Sequence, residues 1–112
     1  MYIKQAQKVL KIEAQAIQLL SKRLGVEFNN AIELLAKCRG KVIVTGMGKG
    51  GIIGEKISAT LSSTGTPSMF LHSAEAIHGD LGRVAKDDVV LAISNSGETE
   101  EVVRFLPLIK KI

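Results

Sequence analysis

The segment VIVTGMGKGGIIG, residues 42–54, predicts how this chain folds. Residues 42–45 are apolar or β-branched without interruption, which is typical of a strand buried on both faces. Glycines at 46, 48, 50, 51 and 54 predict a flexible turn, and isoleucine and leucine then recur at helical spacing to about Ser63. A strand, a glycine-rich turn and a helix in this order indicate the start of a parallel sheet with helices on its faces.

Further elements continue this pattern on both sides of the segment. Apolar runs at 68–71 and 89–93 predict two more strands, and a last helix is expected to begin near Thr99. Upstream, apolar residues at three- and four-residue steps over 2–22 predict an amphipathic helix. A second helix is expected at about 27–37, with an inward face formed by Phe28, Ile32, Leu35 and Ala36. This alternation favours an α/β fold with a parallel sheet, whose ligands bind at the carboxyl ends of the strands.

The composition excludes several classes of protein. The 112 residues carry a formal net charge of +4 and include 46% hydrophobic and 4% aromatic residues, with no tryptophan. We expect one globular domain and, because the basic residues are dispersed and aromatic side chains are few, no nucleic-acid partner. No apolar run is as long as a membrane span, and residues 1–15 lack the apolar core of a signal peptide. We therefore expect a cytoplasmic protein with no membrane partner, in which the single Cys38 is a small buried hydrophobe.

The glycine-rich turn presents one lysine, Lys49, at the carboxyl end of the first predicted strand. Gly46, Gly48 and Gly51 have the G-x-G-x-x-G spacing of dinucleotide-binding folds. The second predicted strand ends in His72 rather than in the acid that would hold a ribose, which weighs against NAD. Lys49 is not followed by serine or threonine, which excludes a Walker A loop. Lys49 is then either a ligand-binding cation or a solvated side chain.

Residues 94–99, SNSGET, connect the third predicted strand to the last helix. Free backbone N–H groups at a helix start, together with the hydroxyls of Ser94, Ser96 and Thr99, favour a bound phosphate. The alternative is an ordinary helix cap, which needs only one hydroxyl. Glu101 lies in the first turn, where it is either stabilised by the helix dipole or reaches the site as an acid or base.

Both histidines of the chain, His72 and His78, flank the loop after the second predicted strand. Histidine titrates near neutral pH and binds metals, so both are candidates for a site. With Glu75 and Asp80 they suggest zinc, but their spacing matches no standard zinc pattern.

Four motifs in a fixed order, GMGK, STGTPS, EAIHGDLG and ISNSGET, resemble the sugar isomerase (SIS) domain, and in particular the arabinose 5-phosphate isomerase family. The resemblance covers residues 40–112 as the first part of the domain, with residues 1–39 as a helical segment before it. It implies a three-layer α/β/α sandwich with a parallel sheet. It also implies interconversion of ribulose 5-phosphate and arabinose 5-phosphate, in synthesis of the octulosonate sugar of bacterial lipopolysaccharide or capsule.

The resemblance also implies the partners and the site. The reaction moves a proton between C1 and C2 of the sugar through an enediolate and uses no redox cofactor. The partners are a phosphorylated sugar and further copies of the chain, in a homo-oligomer that the family forms as a tetramer. Two residues match catalytic positions, Lys49 and Glu101. Seven match substrate or phosphate contacts: Gly65, Thr66, His72, His78, Ser94, Ser96 and Thr99. His72 also matches a position that binds an adventitious zinc ion.

Some features of the chain depart from the family pattern. Gly50 stands where the family usually has serine, and Ser73-Ala74 replaces a usual Pro-Gly. The chain ends before a further catalytic glutamate and histidine, and before the paired nucleotide-binding (CBS) modules that the family often carries. We therefore expect an N-terminal part of such an isomerase. The alternative function is a SIS module that binds sugar phosphates as a sensor without turnover.

Overall fold

The computed structural model describes residues 1–74, 80–94 and 107. In chain order its helices are α1, α2 and α3 and its strands are β1, β2 and β3, with one short 3-10 helix. The helices span Tyr2–Ser21, Val26–Ala36 and Gly48–Ser63, the strands Val42–Gly46, Ser68–His72 and Val89–Ile93, and the 3-10 helix Asp80–Arg83. Within the described residues, no helix is long and apolar enough to cross a membrane. The helix predicted from Thr99 lies outside them.

The three strands form one parallel sheet with β1 in the centre, in the order β2-β1-β3. Every residue of β1 is buried, as the uninterrupted apolar run predicts. The register places Gly46 opposite both His72 and Ile93, so all three strands end at the same level. The α/β class and the parallel sheet are thereby confirmed, and the carboxyl ends of the strands form one edge.

Helix α3 packs on one face of this sheet through small residues. Its buried positions are Gly51, Gly54 and Ser58. A Cβ atom on Gly54 would lie 3.1 Å from Val44 Cγ1 and 3.1 Å from Phe70 Cε2, which is tighter than an ordinary van der Waals contact, so the lack of a side chain favours this close approach. The helix begins at Gly48, where a flexible turn was predicted. That prediction was wrong because packing against the sheet outweighs the low helix propensity of glycine.

The opposite face of the sheet carries the apolar core. Ile43, Leu71 and Val84 form a buried cluster, with Met69 and Val90 partly buried against it. Val84 comes from the segment after the 3-10 helix. In the part of the chain that the structure describes, α3 contacts all three strands.

An ion pair joins the amino ends of β1 and β3. The carboxylate of Asp88 is 2% exposed and lies 2.8 Å from the Lys41 ammonium. It also accepts hydrogen bonds from the backbone N–H groups of Lys41, at 2.9 Å, and Ala85, at 2.7 Å. Burial raises the pKa of Asp88, but these hydrogen bonds and the charge of Lys41 together outweigh burial and hold that pKa below its usual value.

The chain divides into two compact units, Met1–Glu33 and Leu34–Ile112. The division predicted between residues 39 and 40 stays a prediction. No residue of α1 or α2 is buried, and Phe28 and Ile32 are 50% and 47% exposed, so the inward packing predicted for them is not found. An amphipathic pattern indicates which face of a helix is apolar but not which surface covers it. Cys38 is half-buried rather than buried, with Sγ 3.5 Å from the Lys41 carbonyl oxygen.

Candidate functional site

The candidate site is the edge where the three strands end. Helix α3 begins two residues after β1, and its first turn lies close to the end of β3: a Cβ on Gly50 would be 3.4 Å from the Ile93 carbonyl oxygen. Lys49 precedes Gly50, and Ser94 follows Ile93. His72 is the last residue of β2. The structure therefore brings three predicted site residues, Lys49, His72 and Ser94, to one edge of the sheet.

Lys49 and the start of α3 place positive charge at this edge. Lys49 is exposed in the first turn of α3, and that turn contains no acidic residue. The N-cap residue, Met47, caps no N–H with its side chain. Unpaired N–H groups at a helix start carry the positive end of the helix dipole. Within the described residues, Lys49 has no carboxylate partner. A phosphate or an enediolate would be stabilised here.

The sequence after β1 explains how Lys49 reaches this position. Gly48 has φ +56, a left-handed conformation that glycine adopts without steric cost, and it allows the chain to turn at once from strand into helix. Gly51 then approaches the end of β1, because a Cβ there would lie 3.1 Å from the Gly46 carbonyl oxygen. Gly51, which the sequence placed in a flexible turn, therefore acts as a packing residue that helps to set the lysine at the sheet edge.

His72 is held on the α3 side of the sheet. Its ring lies edge-on to Phe70, with centroids 6.5 Å apart and planes at 80°. Its Nδ1 accepts a hydrogen bond from the backbone N–H of Ala74 at 3.2 Å. These two contacts fix both the place and the rotation of the ring, which is half-buried.

Gly65 and Thr66 lie at the other end of the sheet. They follow the C-terminus of α3, where Gly65 has φ +100 and the Thr66 N–H donates to the Leu61 carbonyl oxygen at 2.8 Å. Two residues later Ser68 begins β2 at its amino end. The length of β2 separates this turn from the carboxyl edge by about 13 Å. The structure therefore does not bring these two predicted substrate contacts together with Lys49, His72 and Ser94.

The remaining predicted site residues, His78, Ser96, Thr99 and Glu101, lie outside the described residues. Among residues 1–74 and 80–94, no group of three histidine, cysteine or acidic side chains is placed to hold a metal ion. The metal role of His72 stays a prediction.

Sequence reasoning missed one polar contact beside the site. Thr45 Oγ1 and Ser73 Oγ are 2.9 Å apart, and both residues are fully buried. A hydroxyl within an otherwise apolar strand was the only signal in the sequence. The pairing itself depends on the register that places Thr45 opposite Leu71.

A family model of the SIS domain matches residues 34–111. The chain belongs to the SIS-domain family. The match contains all three strands, α3 and each predicted site residue, so the edge described above is the edge of a SIS domain.

Relatives and solved structures agree with this assignment. The chain is 55% identical over 111 residues to arabinose 5-phosphate isomerase KdsD of Pseudomonas aeruginosa, covering 99% of this chain and 34% of that protein. It is 50% identical to KdsD of Escherichia coli K12, covering 94% of this chain and 32% of that protein. The solved structure of c3406 from Escherichia coli CFT073, in complex with arabinose 5-phosphate, superposes with a TM-score of 0.90 at 50% identity, over 97% of this chain and 58% of that one.

The chain spans about a third of the length of the curated relatives it matches.

Proposed function

We propose that this protein is an aldose–ketose isomerase that interconverts ribulose 5-phosphate and arabinose 5-phosphate, in synthesis of the octulosonate sugar of lipopolysaccharide or capsule. The observation that carries the proposal is the placement of Lys49 at the carboxyl edge, beside the ends of the strands that lead to His72 and Ser94. The relatives named arabinose 5-phosphate isomerase and the solved neighbour in complex with that sugar phosphate supply the substrate class.

We assign Lys49 the role of stabilising negative charge on the sugar during proton transfer. When a proton leaves C2 or C1, negative charge develops on the neighbouring sugar oxygen, and a cation fixed at that oxygen lowers the barrier. Lys49 suits this role because, among the described residues, no carboxylate neutralises its ammonium and because it stands at the positive end of α3. We assign the phosphate to the segment beginning at Ser94, with Ser96 and Thr99, and we assign Glu101 to tuning of the site.

We propose further that the protein is a cytoplasmic homo-oligomer, a tetramer by its family. Gly65 and Thr66 lie at the sheet end opposite Lys49, so one site containing all of them requires a second copy of the chain. Exposed apolar side chains on α1, such as Leu10 at 65% and Ile17 at 68%, supply surface for such contacts. The free thiol of Cys38 fits a reducing compartment. Light scattering should give a multiple of the monomer mass, and a monomer at micromolar concentration would contradict the proposal.

The test of the activity separates an isomerase from a sensor. The intact protein is incubated with ribulose 5-phosphate in D₂O and followed by NMR for arabinose 5-phosphate. We expect product that carries deuterium at C2, because the enediolate picks up a solvent proton when it forms the aldose. In parallel, arabinose 5-phosphate should raise the melting temperature, whereas arabinose should not. A raised melting temperature without product would identify a sensor and overturn the isomerase.

A further inference from the structure

Two buried hydroxyl groups lie directly behind the end of β2. Thr45 and Ser73 are each 0% exposed, and their side-chain oxygens form a hydrogen bond of 2.9 Å. Because side chains alternate along a strand, Thr45 faces the same side of the sheet as Ile43, away from α3. His72, by contrast, lies with Phe70 on the α3 side. The hydrogen bond between these two hydroxyls therefore holds Ser73 on the face of the sheet opposite to the His72 ring.

This contact fixes the backbone that follows β2. A buried hydroxyl without a partner is unfavourable, so Ser73 is held to Thr45 and the next peptide is held with it. The N–H of that peptide belongs to Ala74, and it donates to His72 Nδ1 at 3.2 Å. The ring is thus locked between Phe70 on one side and a backbone donor on the other.

The donor decides which ring nitrogen carries the proton. An Nδ1 that accepts a hydrogen bond has no proton of its own, so a neutral ring carries its proton on Nε2. Among the described residues, Nδ1 is the only ring nitrogen of His72 with a hydrogen-bond partner. We propose that Thr45 and Ser73 are positioning residues that hold His72 with its proton on Nε2, so that it meets the sugar phosphate as a hydrogen-bond donor. The identity of the ligand rests on the proposed function, but the state of the ring does not.

The same lock disfavours a metal at this position. Coordination of a metal through Nε2 moves the ring proton to Nδ1. The Nδ1–H would then face the N–H of Ala74, and two hydrogen-bond donors cannot pair with each other. His72 therefore acts through a hydrogen bond, and zinc binds there only when the segment after β2 is displaced.

The ring state is tested by NMR on the intact protein without ligand. Long-range ¹H–¹⁵N correlations of the neutral ring, assigned with a His72→Gln variant, should show an unprotonated Nδ1 and a protonated Nε2. A protonated Nδ1 in the wild type overturns the proposal, as does tight stoichiometric zinc binding that shifts the His72 signals. Because no sugar is present, these outcomes are independent of whether the protein is an isomerase.

The positioning role is tested by a set of variants. The double variant Thr45→Val with Ser73→Ala removes both partners and leaves no hydroxyl unpaired, so it should fold with nearly wild-type stability. It should shift the ratio of the two ring tautomers toward Nδ1–H by about threefold to tenfold. Thr45→Ser keeps the hydroxyl and should keep the wild-type ratio. An unchanged ratio in the folded double variant overturns the proposal.

Two substitutions at Ala74 give a second, independent test of the same hydrogen bond. Ala74→Pro removes the N–H that donates to Nδ1, whereas Ala74→Gly keeps it. We expect the tautomer shift in the proline variant only, with KM for arabinose 5-phosphate raised about threefold to tenfold and kcat near the wild-type value. Equal tautomer ratios in the two variants overturn the lock. A tautomer shift in a protein that binds no sugar phosphate refutes the proposed function and leaves the lock standing.

Discussion

Replacing Gly51 by alanine tests how α3 brings Lys49 to the sheet edge. Gly50 and Gly51 are neighbours in the first turns of the same helix, so both substitutions gain about the same helix propensity, about 0.5–1 kcal/mol. They differ in what the new methyl group meets. At Gly51 it would lie 3.1 Å from the Gly46 carbonyl oxygen, in a strand whose every residue is buried. At Gly50 its nearest contact is 3.4 Å, an ordinary van der Waals distance.

The magnitude follows from that difference. Overpacking against a fixed backbone costs about 1–3 kcal/mol, whereas an ordinary contact costs little. Because the propensity gain is common to both variants, it cancels when they are compared. The free energy of unfolding of Gly51→Ala should therefore be about 1–3 kcal/mol below that of Gly50→Ala. Gly50→Ala itself should be as stable as the wild type or more stable.

Urea unfolding at neutral pH measures this gap, with circular dichroism as the probe and the slope m checked for a change in the denatured state. Equal midpoints for the two alanine variants would refute the packing of α3 on β1 described here. If the midpoints differ as expected, the Gly51 variant should also lose activity in its folded fraction, because Lys49 moves with the helix.

Three further predictions concern the sheet and the turn. Asp88→Asn should lower the free energy of unfolding by about 1.5–3 kcal/mol, because it weakens hydrogen bonds to a buried carboxylate. The control Asp87→Asn, at an exposed neighbour, should change it by less than about 0.5 kcal/mol, and equal urea midpoints for the two variants would contradict this prediction. Because the pKa of Asp88 is lowered in the folded protein, the stabilisation that its carboxylate gives the fold is fully present above the unfolded pKa of about 3.9 and is lost as pH falls through the lower folded value. Melting temperatures of the wild type and Asp88→Asn should therefore differ at neutral pH and converge in strong acid. Gly48→Ala should cost about 1 kcal/mol by urea unfolding and Gly48→Asn less, because φ is +56 and no atom lies within 4 Å of the new Cβ; identical costs would show that conformation is not the cause.

The sequence predicted the strands well because each is a short apolar run whose type is decided locally. Val42–Gly46 and Val89–Ile93 are continuous runs of this kind, and the predicted and observed bounds agree within one residue. The start of α3 was not predictable in this way, since four glycines in seven residues favour a turn until Phe70 is known to lie against Gly51, and Phe70 and Val44 against Gly54. Long-range packing, not local propensity, decided that element.

The residues of the candidate site likewise fall into those that local sequence could place and those that it could not. Lys49, His72 and Ser94 follow strand ends, so the rule for parallel sheets was enough to place them at one edge. Gly65 and Thr66 precede a strand, and the same rule places them at the opposite edge. The motif match that named them as substrate contacts does not show this separation. The contacts Thr45–Ser73 and Lys41–Asp88 join residues 28 and 47 positions apart, and only the register of the sheet reveals them.

We propose that Lys49 stabilises the charge that develops on the sugar. The most direct measurement compares kcat for ribulose 5-phosphate in the wild type, in Lys49→Ala and in Lys56→Ala, a control lysine on the same helix that is exposed and hydrogen-bonded to Thr60. Loss of a group that binds a developing oxyanion typically lowers kcat by about 10²–10³-fold. We expect that loss in Lys49→Ala, with unchanged folding, and wild-type turnover in Lys56→Ala. Wild-type turnover in Lys49→Ala would show that this lysine does not stabilise the transition state.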